Sequence, residues 1–94
     1  MDLVRFTPLG FQQITSLSSA AGLTVPAEAD MAVFTVDAAS VRWRDDGTAP
    51  TASVGMTIRD TDAPFEYTGD LALIQFIAVS GSPVLNVSYY KQVG

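Results

Sequence analysis

The sequence contains no histidine and no cysteine. Histidine is the side chain that most often serves as a general base and as a transition-metal ligand near neutral pH. Cysteine supplies disulfides, nucleophilic thiolates and many zinc ligands. These absences exclude disulfides, catalysis by serine–histidine or cysteine–histidine pairs, and the usual zinc sites. We therefore expect a protein that is not an enzyme and that binds no cofactor.

Basic residues are scarce and scattered along the chain. Five lysines and arginines stand against ten acidic residues, which gives a formal net charge of −5. The basic positions are Arg5, Arg42, Arg44, Arg59 and Lys91. Proteins that bind nucleic acid concentrate positive charge on one face or stripe. The chain has no such cluster, so we expect no nucleic-acid partner.

No apolar run is long enough to span a membrane. The longest, residues 71–79, is interrupted by Gln75 and falls well short of the ~20 residues that a transmembrane helix needs. The N-terminus carries Asp2 and lacks a basic region followed by an apolar stretch, so it does not resemble a signal peptide. We expect a soluble protein with no membrane partner that is not secreted by that route.

The chain does contain strand-like alternation. Apolar Val41 and Trp43 alternate with Arg42 and Arg44, and an Asp-Gly pair that predicts a turn follows soon after. Successive side chains of a strand point to opposite faces of the sheet. We therefore expect the apolar pair to face the core and the two arginines to face outward.

Similar patterns predict strands along most of the chain, separated by turn signals every ten or so residues. The predicted strands span residues 11–17, 23–26, 31–37, 40–44, 53–59, 65–67, 71–79 and 84–91. A short helix is the alternative for residues 11–17, where Ile14 and Thr15 favour a strand. Residues 71–79 are apolar on both faces, which favours a central strand. A helix over residues 71–77 is the main competitor, because a short apolar run fits both periods.

These elements predict a single all-β domain over residues 1–94. Nearly half of the residues are hydrophobic, which is enough for one core in a chain of this size. The regular spacing of short strands predicts a small antiparallel β-sandwich or barrel, jelly-roll-like, with no substantial helix.

The first ten residues predict a possible N-terminal arm. They are rich in apolar side chains, but Pro8 and Gly10 argue against a regular element. We expect this arm to pack over its own sheet or against a neighbouring subunit, because a core of this size gains stability by assembly. Candidate interface residues in or beside the arm are Arg5, Phe6 and Phe11.

Carboxylates are the only candidate catalytic or metal-binding groups. They include Asp45, Asp46, Asp60, Asp62, Glu66 and Asp70. Asp60 and Asp62 have a spacing that can bind a hard cation, but calcium needs six to eight oxygen ligands. Two carboxylates can also serve a glycosidase, although so small a domain has little room for a cleft. We favour the structural interpretation, in which aspartates accept hydrogen bonds from turn amides.

Two further groups of residues have alternative interpretations. One hypothesis is that four aromatic residues form an exposed platform that binds sugar: Trp43, Tyr67, Tyr89 and Tyr90. We favour Trp43 and Tyr89 as core residues, with Tyr90 on the opposite face as a surface or interface residue. Arg42 and Arg44 are further interface candidates that suit a partner's carboxylates, although pairing with Asp60 or Glu66 is the favoured interpretation.

Several stretches of the chain resemble small virion-associated proteins of tailed bacteriophages. The longest is VRWRDDGTAPTASVGM at residues 41–56, and YTGDL, IQFI and LNVSYY follow at residues 67–71, 74–77 and 85–90. The resemblance covers roughly residues 32–91. It implies a β-rich protein, encoded among the head genes, that decorates the capsid exterior and has no catalytic residues.

The resemblance leads us to expect a capsid decoration (cement) protein. The expected partners are the major capsid protein and two further copies of the chain, as a homotrimer at capsid symmetry axes. The expected location is the outside of the virion, after synthesis in the bacterial host cytoplasm. A tail, neck or fibre protein of the virion is the first alternative, and a carbohydrate-binding module is an alternative of another class.

Overall fold

The computed structural model describes residues 5–93 and confirms an all-β fold. Eight strands are present: β1 (Arg5–Ile14), β2 (Ala21–Gly22), β3 (Met31–Asp37), β4 (Val41–Arg44), β5 (Met56–Ile58), β6 (Phe65–Tyr67), β7 (Gln75–Ala78) and β8 (Val84–Val93). The described residues form no helix, and hence none that is long and apolar enough to cross a membrane.

The strands form two antiparallel four-stranded sheets. The first sheet has the order β1-β8-β3-β6, and the second has the order β2-β7-β4-β5. The chain pairs like a long hairpin folded over on itself: β1 with β8, β2 with β7, β3 with β6, and β4 with β5. This nested pairing in two sheets is the jelly-roll arrangement, as the sequence predicted.

The core lies between the two sheets. On β8 the alternate residues Leu85, Val87 and Tyr89 are buried, as the sequence predicted for residues 84–91. Phe34 of β3 is fully buried. Its ring packs edge-to-face against Phe76 of the second sheet, with ring centroids 5.0 Å apart. Edge-to-face aromatic pairs of this kind add to the free energy that apolar burial contributes.

Strand β1 corrects the prediction for the N-terminal arm. Its first six residues were expected to lack regular structure, yet Arg5–Ile14 form one ten-residue strand paired with β8. Pro8 has no backbone N–H, but β1 is an edge strand. No neighbouring strand on its open side needs that donor, so proline is tolerated there. The remaining arm residues, 1–4, lie outside the described part of the chain.

Three other strands differ from their predicted bounds. The segment 23–26 is not a strand, and the short strand β2 precedes it. Residues 71–73 form a turn in which the backbone N–H groups of Leu73 and Ile74 donate to the Asp70 carbonyl. Only the later part of the predicted strand 71–79 is therefore extended, as β7. The competing prediction of a helix over residues 71–77 is also wrong. Strand β5 begins late because residues 51–54 form a tight turn.

Candidate functional surfaces

Three aromatic residues lie on the solvent-facing side of the first sheet. Tyr90 follows buried Tyr89 on β8 and therefore points outward, as predicted. Phe11 is paired with Ser88, and Phe6 with Gln92, which place both phenylalanines on that same side. Phe11 is 67% exposed and Phe6 is 42% exposed. We call the surface formed by Phe6, Phe11 and Tyr90 the outer aromatic face.

A β-bulge brings the two phenylalanines to the same side. Phe6 and Phe11 are five positions apart, so an uninterrupted strand would place them on opposite faces. The register shifts between Pro8 and Gly10, and Leu9 packs against the core. The extra residue reverses the alternation once, which returns Phe11 to the face of Phe6. Sequence alternation alone could not predict this arrangement.

Polar contacts fix β1 to the rest of the first sheet. The Tyr89 hydroxyl donates to the Gln12 side-chain oxygen at 2.6 Å, and the same oxygen accepts the Thr24 N–H at 3.0 Å. On the outer side, the Gln13 amide donates to Asn86 at 3.0 Å. The strand that bears both phenylalanines is therefore held by side chains on both of its faces.

The other predicted interface residues lie away from this face. Arg5 is exposed at the beginning of β1, where alternation directs it to the opposite side from Phe6. Arg42 and Arg44 lie on β4 in the second sheet. The six candidate residues therefore do not form one surface.

Both β4 arginines bind acceptors that follow their own strand in the chain, in the loop after β4 and at Thr57 of β5. Arg42 donates to the carbonyls of Ala52 and Gly55, each at 3.0 Å, and to the Thr57 hydroxyl at 2.9 Å. Arg44 forms a bidentate ion pair with Asp46, with a shortest N–O distance of 2.5 Å.

The predicted pairing of these arginines with Asp60 or Glu66 is therefore wrong. The loop after β4 folds back beside the strand, so nearer acceptors engage both guanidinium groups. The hydrogen bonds from Arg44 lower the pKa of the Asp46 carboxyl, and they raise the pKa of the Arg44 guanidinium.

Trp43 lies beside an open groove of about 420 Å³. One side of its indole stacks on Phe65, with centroids 5.8 Å apart and an interplanar angle of 28°. The groove is lined by Trp43, Arg44, Asp45, Asp46, Val54, Gly55 and Met56. Trp43 thus packs against the core, as predicted, but it is only partly buried and contributes to this surface.

A buried tyrosine positions one of the groove carboxylates. The Tyr67 hydroxyl donates to Asp45 Oδ2 at 2.6 Å. The pKa of Tyr67 is raised, chiefly because the phenol is buried and then because of this hydrogen bond to a carboxylate. Asp45 is therefore held in place beside the indole.

The four aromatic residues of the predicted sugar platform do not form one surface. Tyr67 and Tyr89 are core residues, 6% and 1% exposed. Tyr90 lies on the outer face of the first sheet, whereas Trp43 belongs to the second. Of the four, only Trp43 lines the groove.

The turn interpretation of the aspartates is confirmed at three positions. Asp46 accepts the Thr48 N–H, Asp62 accepts the Arg59 N–H at 2.9 Å, and Asp70 accepts the Ala72 N–H at 2.9 Å. In residues 5–93 no group of three or more potential ligands is arranged to hold a metal ion.

Comparisons of this chain with protein-family models, with curated proteins and with solved structures find no match. Among the described residues, the geometry offers two candidate surfaces. One is the outer aromatic face of the first sheet, and the other is the groove beside Trp43 on the second sheet.

Proposed function

We propose that this protein is a structural component of a tailed-phage particle, specifically a capsid decoration protein that binds the outer shell and stabilises it. The observation that carries the proposal is the outer aromatic face. Phe6, Phe11 and Tyr90 share one side of the sheet, and the two phenylalanines are strongly exposed. Aromatic residues are enriched in protein–protein interfaces, and an exposed apolar patch marks such a site.

The architecture is compatible with this role. Jelly rolls of two antiparallel sheets recur in viral capsid domains, although the fold also serves other functions. The resemblance of residues 41–56 to head-associated phage proteins supports the same setting. We assign no catalytic residue, because a decoration protein acts through its contact area.

We propose the major capsid protein as partner and a homotrimer as the binding unit. A stable interface buries about 800 Å² on each partner, out of the 5464 Å² of surface that the chain exposes. Three side chains supply only part of that contact area. A trimer on the capsid exterior presents three outer aromatic faces together, so the contacts reinforce one another. The net charge of −5 helps to keep the copies soluble before assembly in the host cytoplasm.

The number of copies per particle tests this proposal against the nearest alternative. Quantitative mass spectrometry of purified particles of the encoding phage would give the ratio of this chain to the major capsid protein. A decoration trimer should occur in proportion to the capsomers. A neck protein would instead occur in about a dozen copies or fewer, as expected for one closed ring, and absence from the particle would refute a virion role altogether.

A further inference from the structure

We infer that the groove beside Trp43 is a binding site for a neutral saccharide. The groove lies on the second sheet and shares no residue with the outer aromatic face on the first. The inference is therefore independent of the proposed capsid contact, and each can fail without the other.

The apolar side of the groove suits the face of a sugar ring. Trp43 contributes its partly exposed indole, and beside it Met56 and Val54 are 61% and 51% exposed. Together these three side chains give the groove an apolar side. One side of the indole packs on Phe65, and the part that lines the groove offers apolar surface to the C–H groups of a pyranose.

The polar side of the groove carries both acceptors and donors. Asp45 and Asp46 present carboxylate oxygens, and the Arg44 guanidinium, which is paired with Asp46, presents N–H groups. Sugar hydroxyls both donate and accept, so they match a mixed wall. Arg44 and Asp46 neutralise each other in their ion pair, and the remaining carboxylate, Asp45, accepts a hydrogen bond from Tyr67. The groove therefore offers polar groups that are largely compensated within the protein, which suits a neutral, polyhydroxylated ligand.

Both walls are held in position by contacts within the protein. Arg42 fixes the loop by donating to the carbonyls of Ala52 and Gly55. On the other wall, Tyr67 holds Asp45, and Arg44 holds Asp46. A preformed site loses little conformational entropy when a ligand binds, which favours binding of small molecules.

The dimensions and shape of the groove agree with this ligand class. A volume of about 420 Å³ lies within the about 300–1,000 Å³ that is typical of small-molecule sites. Because the groove is open along the surface, it can take one unit of a longer oligosaccharide while the neighbouring units extend into solvent.

The intrinsic fluorescence of the protein provides a direct test, because Trp43 is its only tryptophan. The chain would be titrated with soluble neutral oligosaccharides built from glucose, galactose, mannose or N-acetylglucosamine. We expect a saturable change in emission with at least one of them. Met56→Ala should weaken that binding about tenfold, whereas Phe11→Ala, which removes an equally exposed apolar side chain from the other sheet, should leave it unchanged.

Two results would overturn the inference. One is unchanged emission with every saccharide of the panel, and the other is binding that Met56→Ala and Asp45→Asn both leave at wild-type strength. Trilysine peptide serves as the cationic comparison, and a response to it in place of the saccharides would equally reject a neutral ligand. Thermal unfolding of each variant would establish that a lost response reflects the groove and not the fold.

Discussion

At the scale of single residues, Gly55 illustrates why the loop after β4 has its shape. Its φ of 144° is one that side chains rarely adopt, and a Cβ there would lie 3.1 Å from the Trp43 carbonyl oxygen. It would also lie 3.2 Å from Arg42 Cβ. The glycine therefore allows the loop to approach β4 closely enough for Arg42 to bind it.

Replacing Gly55 by alanine should lower the free energy of unfolding by about 2–3 kcal/mol, because backbone strain and a tight contact add together. Gly47 is the matched control, since its φ is also positive but a Cβ there would meet nothing within 4 Å. Gly47→Ala should cost only about 1 kcal/mol. Urea denaturation of both variants measures the two losses in the free energy of unfolding. Equal losses would show that the close approach of residue 55 to β4 does not matter for stability.

Two buried tyrosines should make the protein sensitive to alkaline pH. Burial raises the pKa of Tyr89 from 10 to about 12, and burial with the Asp45 hydrogen bond raises the pKa of Tyr67. Above pH 10 the unfolded chain therefore binds fewer protons than the folded protein. The stability that Tyr89 contributes is fully present below pH 10 and is lost as the pH rises through about 12, and the contribution of Tyr67 likewise begins to fall above pH 10.

Urea midpoints measured across this range test the assignment. The wild-type midpoint should fall between pH 10 and pH 12, and Tyr89→Phe should fall less steeply because one of the two phenols is gone. Below pH 9 both proteins should show little dependence on tyrosine ionisation. A Tyr89→Phe curve parallel to that of the wild type would contradict the role given to burial of this phenol.

At the scale of elements, the predictions succeeded where one face of a strand is buried. Residues 31–37 were predicted as a strand and form β3, and the inward side of β8 was also predicted correctly. Alternating burial leaves a period-two pattern in such strands. Strand β1 leaves no such pattern, because most of it is exposed and its bulge interrupts the alternation.

The β1 bulge offers a test at this scale. Deleting Leu9 would remove the extra residue of the bulge. Phe6 and Pro8 would then lie on the face of the sheet opposite to Phe11. Leu9→Ala keeps the bulge and loses only a partly buried side chain, so it should cost about 1–2 kcal/mol. We expect the deletion to lower stability by at least about 1 kcal/mol more than this, as measured by thermal unfolding.

If the deletion and Leu9→Ala were equally stable, the bulge would not determine the facing of β1. In that case the strand could accommodate either register, and the outer aromatic face would lose its structural basis.

At the scale of the whole molecule, the fold class could be predicted and the two candidate surfaces could not. Short strands with frequent turns indicate an antiparallel sandwich. The outer aromatic face, however, joins Phe11 to Tyr90 through the pairing of the first strand with the last. The groove likewise depends on a loop that folds back onto β4. Contacts of this kind follow from topology and loop geometry, which local sequence patterns do not specify.

The affinity of the protein for purified capsids that lack it decides whether the outer aromatic face binds the shell. Phe11→Ser removes the most exposed aromatic side chain of the outer aromatic face, and Met56→Ser removes a comparably exposed apolar side chain from the second sheet. Measured by co-sedimentation, Phe11→Ser should bind at least about tenfold more weakly than the wild type, and Met56→Ser should bind equally well. Wild-type affinity for Phe11→Ser would contradict the claim that this face binds the capsid.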